Sequence, residues 1–225
     1  MRAAEMALSP QSFPAPLGEV MARKVTFSPR RFLRKIWQLG NFDVSPDGHR
    51  IAYAANKGEQ WTVYLRDLKS KRERVLLKAE QSVMNPEFSP DGRRIAVQSD
   101  FEGDENFNIH TVPTDGGEAR TLTDTPADSA FPRWSPDGTK IAFISNRVRD
   151  RENVFVMDAA GGEAKQLTRV DDIVNDLAWR PDSQALAFGA GFGIGDWIGL
   201  VDLDGRMERL AEFPDSENYL SADVG

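Results

Sequence analysis

The residues that could do chemistry are few. Only two histidines are present, His49 after a Ser-Pro-Asp-Gly turn and His110 in a β-rich run, and both are interpreted as structural side chains. The sequence contains no Gly-x-Ser-x-Gly, which presents the nucleophile of an α/β-hydrolase. It also contains no His-Glu-x-x-His, no P-loop and no cysteine. The 225 residues therefore predict no catalytic residue, no cofactor and no metal in this chain.

Two stretches look like ligand-binding loops but lack the features that such loops need. DFEGDEN (100–106) offers carboxylates for calcium, yet it lacks the ligand order and the closing glutamate of an EF-hand, so a solvated loop is favoured. GAGFGIG (189–195) lacks the spacing and the following helix of a dinucleotide-binding loop. We expect it to be a flexible loop between two strands.

The charge balance argues against nucleic acid and membranes as partners. Lys and Arg total 28 and Asp and Glu total 35, so the formal net charge is −7, whereas nucleic-acid-binding proteins usually carry a positively charged surface. Glu5 and three prolines interrupt the N-terminal segment, so no export signal is predicted. The most apolar stretch, 185–201, carries Asp196 and five glycines and is too short for a bilayer. We expect a cytoplasmic protein.

One sequence unit occurs four times. Its markers lie 44, 46 and 45 residues apart, at Ser45, Ser89, Ser135 and Arg180. A large apolar residue precedes each marker, a β-rich run follows it, and each unit closes with a short apolar patch. The four copies read VSPDGHRIAY, FSPDGRRIAV, WSPDGTKIAF and WRPDSQALAF. Such a period indicates a repeat architecture.

The repeated Ser-Pro-Asp-Gly sequence has the residue types that a hairpin turn needs at each position. Proline suits position i+1 of a type I turn, aspartate suits i+2, and glycine then adopts the left-handed conformation. The aspartates therefore recur for structural reasons, at Asp47, Asp91 and Asp137. Ser183 replaces the glycine in the fourth copy. If the backbone is left-handed there, Ser183→Gly is expected to raise the melting temperature.

Four short strands in about 45 residues are typical of a β-propeller blade. The large residues of Ile-Ala-Tyr, Ile-Ala-Val and Ile-Ala-Phe point to one face of the strand and alanine to the other. That alternation lets flat sheets stack closely. A solenoid is the competing repeat fold, but its repeats rarely hold three hairpins. The predicted fold class is all-β, a propeller with about four blades, an incomplete ring and one short N-terminal helix.

The predicted domain organisation follows from these repeats. Residues 1–24 are expected to be disordered, and 25–40 to be a helix with Ser28 as its N-cap and Gly40 as its terminator. This helix either plugs the propeller or docks on a second domain. The repeats are assigned to 41–84, 85–130, 131–175 and 176–213, and residues 214–225 to the start of a fifth blade or a truncated tail.

These residues resemble a known family. FPRWSPDGTKIAFISNR and the following NVFVMDAAGGEAKQLT are similar to the WD40-like repeats of TolB proteins, the tricorn protease and the S9 (prolyl oligopeptidase) serine peptidases. IAVQSDFEGDENFNIHTVPTDGGEARTLTD resembles the acylaminoacyl-peptidase branch of S9, and FSPRRFLRKIWQL resembles that family's opening. The resemblance covers roughly residues 26–213.

The resemblance implies a function that needs more than these residues. In S9 enzymes the propeller covers an α/β-hydrolase domain with a Ser-Asp-His triad, admits short peptides and excludes folded proteins. No triad residue is present to carry over, and the paired glutamates of dipeptidyl-peptidase relatives are also missing. The implied partners are short peptides and a hydrolase domain, which the helix would contact through Phe32, Ile36 and Trp37. The alternatives are a TolB-like interaction module and the propeller of a tricorn-like protein or another scaffold.

Overall fold

The computed structural model describes residues 38–57, 60–79, 82–100, 106–192 and 194–213, and these ranges contain strands and turns but no helix. Sixteen strands form four antiparallel sheets, each in chain order. Blade 1 is β1 (Gln38–Val44), β2 (Arg50–Asn56), β3 (Trp61–Asp67) and β4 (Glu73–Lys78). Blade 2 is β5 (Ser82–Phe88), β6 (Arg94–Asp100), β7 (Asn108–Pro113) and β8 (Arg120–Thr121).

The second half of the chain repeats the arrangement. Blade 3 is β9 (Ser129–Trp134), β10 (Lys140–Ser145), β11 (Asn153–Asp158) and β12 (Lys165–Gln166). Blade 4 is β13 (Val174–Trp179), β14 (Ala185–Phe192), β15 (Ile194–Asp202) and β16 (Met207–Phe213). Within the described residues no helix is long and apolar enough to cross a membrane.

The four sheets confirm the predicted propeller that is not closed into a ring. The first strands of successive blades contact one another, so β1, β5, β9 and β13 form the inner edge of the array. Each sheet begins two or three residues before its predicted boundary, and each inner strand has a register shift before the repeated turn. At two of these bulges a non-glycine residue is left-handed, Asn85 with φ 51° and Phe131 with φ 54°.

The core lies between blades, as the alternation of large residues and alanine predicted. Ile95 and Val97 of blade 2 pack on Ala52, Val63 and Leu65 of blade 1. The same arrangement repeats at the next two interfaces, where the large residues include Ile141 and Phe143 in blade 3 and Leu186 and Phe188 in blade 4. Full burial of each such side chain contributes about 1.5–3 kcal/mol. Stacking of the sheets is therefore the main source of stability.

Two sequence predictions need correction. GAGFGIG is not a loop, since β14 runs to Phe192 and β15 starts at Ile194. A Cβ at Gly191 would lie only 2.7 Å from the Cα of Asp196, so glycine here allows two strands to approach closely. The helix predicted for 25–40 is wrong at its end, because residues 38–40 belong to β1 and pair with β2. Residues 1–24, 25–37 and 214–225 lie outside the described residues, and with them Phe32, Ile36 and Trp37.

Candidate functional site

The aspartates of the repeated turns have a structural role. The Ser45 hydroxyl donates to Asp47 Oδ1 at 2.6 Å and accepts from the Arg50 backbone N–H at 2.9 Å. Ser89 with Asp91 and Ser135 with Asp137 repeat these bonds. In each turn the serine hydroxyl is the largest influence on the aspartate, and it holds the carboxyl pKa below its usual range. These carboxylates are therefore tied into the turns that they stabilise.

The two histidines also lie in structural positions. His49 is exposed in the first turn, and its backbone N–H donates to Asp47 Oδ1 at 2.9 Å. His110 is buried in β7, with its Nδ1 3.1 Å from Thr121 Oγ1. Burial lowers the pKa of His110 to about 4, so its ring is neutral at neutral pH and is enclosed by the sheets. Of the two imidazoles, that of His110 is therefore closed off from solvent.

The described residues contain no group of three or more His, Asp or Glu side chains arranged to hold a metal ion. The acidic stretch 100–106 falls mostly outside the described residues, because residues 101–105 are not described.

A row of charged residues follows the inner edge. Asp43, Glu87 and Arg133 occupy the same repeat position in β1, β5 and β9, two residues before each marker serine. Asp43 Oδ2 accepts from the Phe88 backbone N–H of blade 2 at 2.8 Å. Glu87 Oε1 accepts from the Trp134 backbone N–H of blade 3 at 2.6 Å, and Arg133 Nη1 donates to Glu87 Oε2 at 3.0 Å. Each carboxylate therefore joins its own blade to the next one.

Tryptophan side chains continue these links. The indole N–H of Trp134 donates to the Glu87 carbonyl at 3.2 Å, and that of Trp179 donates to the Arg133 carbonyl at 2.9 Å. The sequence marked these tryptophans only as large apolar residues, and it did not single out Asp43 or Glu87. The sequence signal that could have identified them is a charged residue that recurs two positions before the marker serine in three successive repeats.

Glu87 is the most perturbed carboxyl of this row. Its side chain is 17% exposed, and burial raises its pKa to about 7 against the opposing influence of Arg133. The group can therefore gain or lose a proton near neutral pH. Because both of its oxygens accept hydrogen bonds from blade 3, its geometry suits an inter-blade link that responds to pH.

A second polar link lies further along the same edge. Gln98 is buried in β6, and its Oε1 accepts from Asn85 Nδ2 at 2.6 Å and from the Phe131 backbone N–H at 2.8 Å. One amide thus ties both left-handed bulge residues and joins blade 2 to blade 3. The aromatic ring of Phe131 remains partly exposed beside it.

Basic side chains join the blades on the side of the repeated turns. Arg50 Nη2 donates to the Gly92 carbonyl of blade 2 at 3.0 Å, and Arg94 Nη1 donates to the Ala159 carbonyl of blade 3 at 3.2 Å. The Arg94 guanidinium lies 4.6 Å from the centre of the Trp134 ring, a cation–π distance. Together these contacts connect neighbouring blades at both ends of the inner strands.

Blade 1 has an outer face that no described blade covers. Phe42 is 60% and Val44 45% exposed, whereas Phe88, which corresponds to Val44 in blade 2, is 5% exposed. The Val44 backbone N–H donates to the side chain of its own neighbour Asp43 at 2.7 Å, where the N–H of Phe88 uses the preceding blade. This face has the apolar residues of a blade interface without the partner blade.

Comparison with known proteins agrees with this architecture. The PD40 family model, described as the TolB beta propeller domain, matches residues 41–212. An uncharacterized peptidase, YuxL of Bacillus subtilis, is 36% identical over 121 residues, which are 52% of this chain and 18% of that protein. The chain thus spans less than a fifth of that relative.

Solved structures show the same fold at lower identity. TolB from Acinetobacter baumannii superposes with a TM-score of 0.65 at 21% identity, over 79% of this chain and 44% of that one. A puromycin-hydrolyzing peptidase of Mycobacterium tuberculosis superposes with a TM-score of 0.62 at 17% identity, over 78% of this chain and 29% of that one.

Proposed function

Because the chain belongs to the TolB β-propeller (PD40) family, we propose that it is the propeller portion of an S9-type serine peptidase. In this role it controls the access of peptides to an α/β-hydrolase domain that residues 1–225 do not contain. The observation that carries the proposal is the 36% identity to an uncharacterized peptidase, YuxL. The chain supplies the gate, and the hydrolase domain supplies the nucleophile, the base and the oxyanion donors.

The inner edge supports a gating role. A gate that admits short peptides and excludes folded proteins must keep its blades from separating. Here Asp43, Glu87 and Gln98 each accept hydrogen bonds from the next blade, so opening an interface would break several bonds together. A partly buried bond to a charged group contributes about 1.5–3 kcal/mol. Thermal separation of the blades is thereby opposed along the inner edge.

The hydrolase domain is the proposed partner in the same protein. The segment with Phe32, Ile36 and Trp37 remains the predicted contact, and the open apolar face of blade 1 is a second surface available to another part of the protein. Short peptides are the proposed substrates, and a cytoplasmic location remains the prediction from the sequence.

A TolB-like protein-interaction module is the second candidate. The observation that favours it is the match of residues 41–212 to the TolB propeller model. In that case the propeller itself is the working unit, and a protein instead of a peptide is its ligand.

The reading frame that encodes the chain distinguishes the two candidates. A Gly-x-Ser-x-Gly some hundreds of residues after Gly225 in the same frame supports the peptidase. A stop codon directly after Gly225 supports the interaction module. Purified residues 1–225 should leave acetyl-amino-acid and prolyl chromogenic substrates uncleaved. Turnover by this chain alone, abolished by a serine-directed phosphonate, would overturn both.

A further inference from the structure

A pocket of about 120 Å³ opens at one end of blade 3, away from the charged row. It lies between the β10–β11 connection and the β12–β13 connection, on the side of the blades opposite the Ser-Pro-Asp-Gly turns. Its lining combines three arginines, two valines, two amides and one carboxylate. These residues are Val148, Arg149, Arg151, Asn153, Gln166, Arg169, Val170 and Asp171.

The two walls of the pocket are tied together by a buried asparagine. Asn153 Nδ2 donates to the Arg151 carbonyl at 3.4 Å and to the Val170 carbonyl at 3.3 Å, and its Oδ1 accepts from the Val170 backbone N–H at 2.9 Å. The Thr168 hydroxyl donates to the same Oδ1 at 2.8 Å. The positions of the lining arginines therefore depend on a fixed backbone in both connections.

The first wall contains two consecutive left-handed residues. Arg149 has φ 62° and Asp150 has φ 49°, and neither is glycine. L-residues avoid this conformation, which is retained mainly where surrounding structure or function requires it. The unusual backbone sets the direction in which the Arg149 side chain leaves the wall.

The arginines of the pocket are exposed and form no ion pair with the described residues. No described carboxylate oxygen lies within 4.0 Å of the guanidinium nitrogens of Arg149, Arg151 or Arg169. Asp171 lies at the pocket without pairing with them, and Asp172 accepts from the Trp197 indole at 2.8 Å. In a chain of net charge −7, three guanidinium groups thus line one cavity.

We propose that this pocket binds a carboxylate, that of a short peptide. A planar guanidinium offers two parallel N–H donors that match the two oxygens of a carboxylate. Val148 and Val170 supply apolar contact for the adjoining side chain, and Gln166 supplies an amide for the adjoining peptide group. The volume admits the carboxylate and its neighbouring atoms and leaves the rest of the peptide outside. That the carboxylate belongs to a peptide rests on the proposed function, whereas the carboxylate preference rests on the arginines alone.

The test uses the full 225-residue chain and two matched probes, N-acetyl-alanyl-alanine and its C-terminal amide, at low ionic strength. Backbone amide shifts in an NMR titration locate the binding. We expect saturable shifts confined to 146–153 and 166–171 with the acid, and binding at least tenfold weaker with the amide. Arg151→Gln and Arg169→Gln should each weaken binding of the acid about tenfold. Arg93→Gln, an exposed arginine in the second turn, should leave it unchanged.

Several results would overturn the proposal. These are an absence of saturable shifts, equal binding of acid and amide, shifts that centre elsewhere, or Arg151→Gln and Arg169→Gln variants that bind like the wild type while folded. Inorganic phosphate is the third probe, and binding of phosphate without binding of the acid would also contradict it. The proposed peptidase role is tested separately, by the reading frame after Gly225. The two proposals can therefore be rejected independently.

Discussion

The fourth turn holds a serine in a backbone conformation that favours glycine. Substituting this residue separates two opposing contributions to stability, the strain of the backbone and a hydrogen bond of the side chain. Ser183 has φ 62°, close to Gly48, Gly92 and Gly138 at 70°, 67° and 71°. Its backbone is left-handed, which is the condition on which the stability prediction from the sequence depended. A non-glycine residue there costs roughly 1 kcal/mol relative to glycine.

The structure adds a contact that the sequence did not reveal. Ser183 is buried, and its Oγ accepts from the Asp137 backbone N–H of blade 3 at 3.0 Å. Loss of such a bond costs about 1 kcal/mol. Glycine therefore relieves the backbone and removes the bond, so Ser183→Gly is now expected to change stability by less than about 0.5 kcal/mol instead of raising the melting temperature.

Ser183→Ala keeps the backbone penalty and also loses the bond, so it should be destabilised by about 1 kcal/mol, or roughly 2–4 °C in melting temperature. Gly48→Ala is the matched control. Its φ is 70° and no atom lies within 4 Å of the added Cβ, so it measures the backbone cost alone. Urea unfolding of the three variants gives the comparison. Equal stability of Ser183→Gly and Ser183→Ala would refute the backbone argument, and a gain of 1 kcal/mol or more in Ser183→Gly would refute the inter-blade bond.

Three further changes test the packing and the buried charges. Because the pKa of Glu87 is raised from 4.5 to about 7, the folded state favours the protonated carboxyl below pH 7. The unfolding free energy of the wild type should therefore fall by about 2.5 kcal/mol from pH 5 to pH 8 relative to that of Glu87→Gln. Parallel pH profiles of the two proteins would contradict this. Because the pKa of His110 is lowered from 6.5 to about 4, the stability that its neutral ring contributes is complete above pH 6.5 and declines as the pH falls. In urea unfolding at pH 5 the wild type should have lost about 2 kcal/mol of unfolding free energy relative to His110→Gln. The same pH dependence in both proteins would contradict this. A Cβ at Gly199 would lie 2.6 Å from Phe188 Cζ, so Gly199→Ala should destabilise the chain by about 1–3 kcal/mol, and an unchanged melting temperature would show that the ring moves freely.

The fold could be predicted because its determinants are local and repeated. Proline, aspartate and a left-handed fourth residue fix each first turn, glycine in three copies and Ser183 in the last, and the alternation of large residues with alanine fixes which face meets the next blade. Both signals lie within about ten residues and recur four times in the sequence. The same local reasoning failed for GAGFGIG, because glycine there serves close strand approach instead of a loop.

The candidate site was less accessible to sequence reasoning because its contacts join distant residues. Asp43 reaches Phe88 and Glu87 reaches Trp134, partners 45 and 47 residues apart. Such pairs become visible only when the repeats are stacked in space. The arginine pocket likewise needs two connections that Asn153 brings together, and nothing in the local sequence of either one indicates a cavity.

The central claim is that this propeller works as part of a serine peptidase. Its most direct test is labelling of the native protein, isolated from its source cells with an antibody against residues 1–225, by a fluorophosphonate probe. We expect a labelled protein larger than the 25.1 kDa of this chain, in which mass spectrometry finds propeller peptides and a modified serine outside residues 1–225. Purified residues 1–225 should take up no label. A native protein that contains the propeller and stays unlabelled, or a label on residues 1–225 themselves, would contradict the proposed peptidase role.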